Sequence, residues 1–305
     1  MAARKTIIPY YQIIQKLSTE FGFPTEKGLE FIRCFAKNKG HQIISPKYNL
    51  EEIQKDATKS KAFLAEFPQN RPFRDIIAIA HQLCPELQTF CEQNGGIFNG
   101  LGSRDKGALG KQVEFYIFGQ LPNGDPVPDL AWGADIKATH FKTNRTGDYN
   151  AKERLTITNC GSTEKYETFG AVQAAATLQT CKYYPKIKSG VLFVFEHSGG
   201  KYNDIDANMS KHLMCAFPYD LADMPDEVTK QLNADFIDIQ TKISTQTVSQ
   251  KGQKYLHIHK HGSKGGQTRA FGFTNKFLTK LVSIVTEKPI TIKGRSIFIE
   301  KQHFA

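Results

Sequence analysis

The residues whose types and spacing suit chemistry gather in one segment, Pro128-Asp129-Leu-Ala-Trp-Gly-Ala-Asp135-Ile-Lys137-Ala-Thr-His-Phe. On a β-strand alternate side chains share a face, so Asp135 and Lys137 project to the same side, roughly 6–7 Å apart, while Ile136 and Ala138 turn toward apolar packing. A turn ahead of such a strand folds Asp129 back next to Asp135. Two converging carboxylates form a hard, anionic oxygen site, which suits Mg²⁺. A lysine beside them can orient or help deprotonate a water at the metal and stabilise a phosphorane-like transition state. Attack of water on a phosphodiester is the reaction that this set fits. The same Asp-x-Lys on an ordinary strand is only a surface ion pair worth little, so the elements around it have to decide.

Upstream lies Lys106-Gly-Ala-Leu-Gly110-Lys-Gln-Val-Glu114, which places Glu114 on an amphipathic helix over Ala108–Phe118, just before the turn that carries Asp129. Glycines in this stretch are expected to let the helix approach a neighbouring backbone closely. Short apolar or alternating runs at Ala134–Phe141, Leu155–Cys160, Gly190–His197, Lys254–His259 and Arg295–Glu300 read as strands. Helical patterns lie between them at Gly170–Thr180, Pro225–Lys242 and Asn275–Glu287. Strands interspersed with helices imply an α/β or α+β domain with a central mixed sheet. The first ~70 residues read as helical, over Tyr10–Phe21, from Pro24 to Ala36, and over Leu50–Phe67 with Asn49 as cap. Pro68-Gln-Asn-Arg-Pro72 marks a boundary, and a further helix, Phe73–Gln93, carries a break at Pro85.

Charge is distributed unevenly. The chain of 305 residues has a net charge of +10, and residues 241–305 hold 12 basic and 2 acidic residues, so the other 240 balance. A one-sided basic segment is the electrostatic footprint of a nucleic-acid groove, although a solvated basic face or an acidic protein partner leaves the same signature. Within that segment Lys254, His257, His259, Lys260, His261, Lys264 and Arg269 are the candidate DNA contacts. The alternating histidines also raise a metal site on one strand face. Phe271 and Phe273 are either base-contacting or core, and Trp132 reads as core packing.

The order Lys-Gly-x-x-Gly-x-x-x-Glu, then Asp129, then Asp135-x-Lys137, resembles the MutH-like branch of the PD-(D/E)xK nucleases. Ile76–Cys91 followed by Gly102-Ser-Arg-Asp-Lys-Gly107 is similar to the arm leading into that motif. Lys186-Ile-Lys188 before the strand Val191–Phe195 resembles a Lys-x-Lys that supports cleavage. Tyr255-Leu-His-Ile-His259 and Arg269-Ala-Phe-Gly-Phe-Thr-Asn-Lys-Phe277 resemble the family's recognition half. The resemblance covers residues 73–305 and leaves the first ~70 without a counterpart. It implies Asp129 and Asp135 as ligands of Mg²⁺, Lys137 as the catalytic lysine, Glu114 as an additional acid near the metal and Lys186 as a helper at the scissile phosphate. Two departures stand out. Asp135 replaces the Glu of the MutH pattern, and His257-Ile-His259-Lys260-His261 stands where relatives carry Arg or Lys, so GATC specificity does not transfer.

These readings imply a PD-(D/E)xK core over residues 71–305, with a catalytic half to about 200 and a recognition half beyond, after a helical extension over 1–70. The expected function is a type II restriction endonuclease, a site-specific deoxyribonuclease acting on double-stranded DNA with Mg²⁺ and leaving 5′-phosphate ends. A MutH-type methyl-directed repair nickase and a non-catalytic DNA-binding protein are the alternatives. A restriction enzyme implies a cognate DNA methyltransferase in the same host and a bacterial cytoplasmic setting, as a monomer or a homodimer. No apolar run reaches the ~20 residues of a membrane helix. Six cysteines without a Cys-x-x-Cys pair read as reduced core residues.

Overall fold

The computed structural model describes residues 47–98, 107–122, 127–197, 205–262, 266–294 and 296–304. The helices expected over Tyr10–Phe21 and from Pro24 to Ala36, most of the Gly-rich stretch before Gly107, and Lys264 lie outside those residues.

Asn49 opens α1 (Leu50–Lys55) with a full capping box to Glu52. The single helix expected from 50 to 67 is in fact two, because Asp56 ends α1 and caps α2 (Ala57–Ala65), its side chain accepting from the N–H groups of Thr58 and Lys59. An aspartate before Ala-Thr-Lys is an N-cap signal in its own right. A two-residue strand, β1 (Arg71–Pro72), leads into α3 (Phe73–Leu83), and the break expected at Pro85 is present, with Pro85 in the first turn of α4 (Pro85–Asn94). Helix α5 (Ala108–Phe118) has the expected bounds.

The chain then forms β2 (Asp135–Thr143), β3 (Tyr149–Ala151) and β4 (Leu155–Ser162). Of the helix expected over Gly170–Thr180 only α6 (Gly170–Gln173) forms. Beyond it, the Thr177 and Thr180 hydroxyls bond local backbone and take the place of the helical ladder. Next come α7 (Tyr184–Lys188), β5 (Ser189–Glu196), α8 (Ile205–Met209) and β6 (His212–Asp220). Helix α9 (Asp226–Ser244), β7 (Leu256–Lys260), β8 (Thr268–Phe273), α10 (Asn275–Thr286), β9 (Ile290–Lys293) and β10 (Ser296–Ile299) complete the order.

The molecule is a mixed α/β fold around a seven-stranded sheet of order β1-β6-β5-β2-β3-β10-β9, with a separate three-stranded sheet β4-β8-β7. Strands β2 and β5 are parallel, with Asp135 opposite Gly190 and Lys137 opposite Leu192, while the other pairs are antiparallel. A parallel pair needs a long crossover, and here it includes β3, β4, α6 and α7. The run Val191–Phe195 is buried on both faces, as a continuous apolar strand in a covered sheet must be. Val191, Phe193 and Phe195 join Ile136 and the helices α1 to α5 on one face. Leu192 and Val194 join Phe141, α9, α10 and the small sheet on the other. Ile53, Phe63, Leu64 and Phe67 lie in the same cluster as Phe73, Ile76 and Phe193. The segment Pro68–Pro72 therefore crosses a continuous core. Strand β6 was not legible because of Pro218, which lacks a backbone donor. It is tolerated because β1 pairs only with His212 and Leu213, leaving that side of Pro218 unpaired.

Among the described residues, no helix is long and apolar enough to cross a membrane. Five cysteines are described, all free, and Cys84, Cys160, Cys181 and Cys215 are buried while Cys91 is half-buried.

Candidate active site

The turn expected between Asp129 and Asp135 is present. Leu130 N–H donates to Ala134 O at 2.9 Å and Gly133 N–H to Leu130 O at 2.8 Å. Gly133 takes φ +94°, a region that residues with a Cβ avoid. The turn returns Asp129 to the strand, where its Oδ2 accepts from Ile136 N–H at 2.8 Å. It is pinned from two sides, by Gln120 Nε2 donating to Asp129 O at 2.7 Å and Ser189 Oγ donating to Gly133 O at 2.9 Å.

Asp135 is fully buried. Lys137 Nζ lies 2.7 Å from its Oδ2, and Lys186 Nζ, carried on α7 just ahead of β5, lies 3.5 Å from its Oδ1. Neither Asp135 oxygen receives a well-aligned hydrogen bond, so two ammonium charges hold this carboxylate. Burial, and then the charge of Asp135, push the Asp129 carboxyl up to about 6. Glu114 on α5 is pushed up to about 7, by burial first and by Asp129 next, with Lys137 opposing. The structure thus brings Glu114, Asp129, Asp135, Lys137 and Lys186 into one electrostatic neighbourhood.

A Cβ at Gly110 would meet nothing within 4 Å, so that glycine does not serve close packing. The crowded glycine is Gly190, which reading for motifs passes over. It lies opposite Asp135 on one side and Tyr219 on the other. A Cβ there would stand 2.8 Å from both the Asp135 carbonyl oxygen and the Tyr219 hydroxyl. The β5 run could have flagged it, since a glycine inside a strand marks a close approach. Trp132 packs against the core as expected, with its Nε1 buried and without a hydrogen-bond partner.

Among the described residues, no group of three or more His, Cys, Asp or Glu is arranged to hold a metal ion. The fit to Mg²⁺ therefore rests on two carboxylates. That donor set is hard, and the buried Asp135 oxygens lack hydrogen bonds. Mg²⁺ is ordinarily held by one or two carboxylates together with waters and substrate phosphate, so the residues present fit it. The alternating histidines form no such metal group, whereas Phe271 and Phe273 are fully buried in the core.

The candidate DNA contacts lie elsewhere. A cleft of about 780 Å³ opens over β7 and β8, lined by His257, His259, Lys260 and Arg269 among the expected residues. Lys152, Arg154 and Lys251 also line it and were not singled out in the sequence. Lys254 and His261 are exposed but do not line it. None of the carboxylate-cluster residues does either. Lys152 N–H donates to His140 O, so the cleft meets β2 five residues beyond Asp135, roughly 16 Å along the strand. Part of the basic surplus is also committed to the fold: Lys242 pairs with Asp238, Lys280 with Glu227 and Lys293 with Asp148.

Compared with protein-family models and with characterised sequences, the chain finds no match.

Proposed function

We propose that this protein is a Mg²⁺-dependent deoxyribonuclease with a PD-(D/E)xK core, acting as a type II restriction endonuclease on double-stranded DNA. The observation that carries the reading is Asp135. Its carboxylate is wholly buried at the start of a sheet strand, beside a second carboxylate and between two lysines. Charges withdrawn from water cost several kcal/mol each unless compensated, and a surface ion pair needs no such assembly.

Asp129 and Asp135 would hold the ion, with Asp129 oriented by the Ile136 N–H. When bound, Mg²⁺ supplies positive charge for a phosphate oxygen and lowers the pKa of a water. Lys137 Nζ orients the attacking water and, as a cation, offsets the charge that develops on the phosphorus oxygens. Lys186 Nζ approaches Asp135 from the β5 side and adds a second positive charge toward the scissile phosphate. The Glu114 carboxyl, raised toward neutrality, can accept or return a proton at the edge of the site.

The test is incubation with unmethylated plasmid or phage DNA and Mg²⁺, beside EDTA and Asp135→Asn controls. Discrete fragments with a common terminal sequence are expected from the wild type alone. Asp135→Asn should lose about 10³-fold in cleavage while still binding DNA. Nicked circles only would favour the repair-nickase reading, Mg²⁺-independent cleavage would overturn the metal assignment, and absent cleavage would overturn the nuclease.

A further inference from the structure

We propose that the cleft over β7 and β8 reads base edges of double-stranded DNA through the ring nitrogens of His257 and His259, while the cations Arg154, Lys251 and Lys260 on its rim hold phosphates. The proposal rests on the DNA-cleaving reading and assigns the recognition site within it. His257 and His259 are two apart on β7 and therefore share a face. Their rings stack with centroids 4.7 Å apart and planes at 27°. His259 is 7% exposed, with Nε2 3.0 Å from Thr156 Oγ1. Its Nδ1, and Nε2 of the half-buried His257, have no hydrogen-bond partner. An unmade hydrogen bond at a buried polar atom costs about 1–3 kcal/mol, a cost that a ligand bearing matching groups removes. Both imidazoles line the cleft.

The sign of the charge separates the two tasks. Burial, reinforced by neighbouring positive charge, pulls both imidazoles well below their ordinary value. They are neutral at pH 7 and suited to base edges, the nitrogens left for a base being Nε2 of His257 and Nδ1 of His259. Phosphates fall instead to Arg154, Lys251 and Lys260, which are exposed at the rim. Arg269, the residue type that most often reads guanine, is committed elsewhere. Its guanidinium donates to Gln267 O, Thr268 O and Ser249 Oγ. The reading strand is rigidly mounted, since Asp235 of α9 accepts the successive N–H groups of Lys254, Tyr255 and Leu256 at 2.9, 2.6 and 3.0 Å.

The experiment selects a preferred duplex from a random-sequence library with the full chain, Ca²⁺ replacing Mg²⁺. Affinity for that duplex and for a scrambled one is then measured across a salt series. His257→Gln and His259→Gln should each lose about 10-fold or more of the discrimination with an unchanged salt slope. Arg154→Ala and Lys251→Ala should weaken both duplexes alike, each lowering the slope by about 1. Thermal unfolding confirms that each variant is folded, and His257→Asn replaces any that is not. Full discrimination in both histidine variants overturns the assignment and leaves the nuclease reading standing. Failure of the wild type to bind any duplex overturns the nuclease reading itself.

Discussion

The carboxylate cluster at the start of β2 and the cleft over β7 and β8 handle charge in opposite ways. In the first, Asp135 is buried and ion-paired at 2.7 and 3.5 Å, so full charges face each other out of water. In the second, Arg154, Lys251 and Lys260 stay at the exposed rim, the buried Arg269 turns its donors to protein oxygens, and the imidazoles of His257 and His259 are uncharged. Charge pairs gain strength as the local dielectric falls, which suits a site that must stabilise a transition state. Exposed cations act through counterion release, and so set affinity without selecting a sequence. Under the proposed function, the dry place is where charge does chemistry and the wet place is where charge only holds on.

Variants that act on one region and spare the other test this contrast. The largest effect is expected for Lys137→Met, about 10²–10³-fold in cleavage rate, read by single-turnover kinetics, with duplex discrimination unchanged. Lys186→Met should fall short of that, and equal losses would mean that the two ammonium groups share one role. The glycine pair comes next. Gly190→Ala places a Cβ against the Asp135 carbonyl oxygen, and Gly272→Ala places one 2.5 Å from the Leu155 carbonyl oxygen and 2.6 Å from the His259 ring. Each should cost about 1–3 kcal/mol of stability, measured by denaturant unfolding. Gly190→Ala should impair cleavage, whereas Gly272→Ala should impair discrimination. The converse pattern would exchange the roles assigned to the two regions.

The smallest effect concerns pH. Glu114 is raised to about 7 in the folded chain and Asp129 to about 6. Groups raised in this way contribute stability that is complete below their unfolded values near 4 and lost as pH rises through 6 to 7. The metal-free protein should therefore be more stable at pH 5 than at pH 8, by about 2 kcal/mol for Glu114, as read by denaturant unfolding at the two pH values. Glu114→Gln should flatten that dependence. Added Mg²⁺ should stabilise the protein at pH 8 and have little effect at pH 5. An identical Mg²⁺ shift at both values would remove the two carboxylates as its ligands.

Much of the carboxylate site was legible because it is local. Asp135 and Lys137 are bound by strand alternation to share a face, and a glycine turn of a few residues suffices to return Asp129. Helix α5 could be read to its end residues from its amphipathic run. The cleft was legible only in part. His257, His259 and Lys260 stand on one strand, but Lys152 and Arg154 come from a connection more than a hundred residues earlier. Arg269 looked like a base reader because its type suits the task, and the fold directs its donors inward. Strands β3 and β9 escaped detection because they are short and, unlike the equally short β10 with its Ile-Phe-Ile run, carry no three consecutive apolar residues.

By itself the sequence determined which side chains alternate on β2, that the apolar run around Val191–Phe195 is a strand, and where the basic surplus lies. Those properties follow from local geometry, apolar composition and charge, which need no partner elsewhere in the chain. Tertiary structure decided that Gly190 stands between Asp135 and Tyr219, that Lys186 reaches Asp135, and which basic residues line a cleft and which serve the fold. These depend on strand order and parallel register, set by long-range packing that no short window of sequence contains.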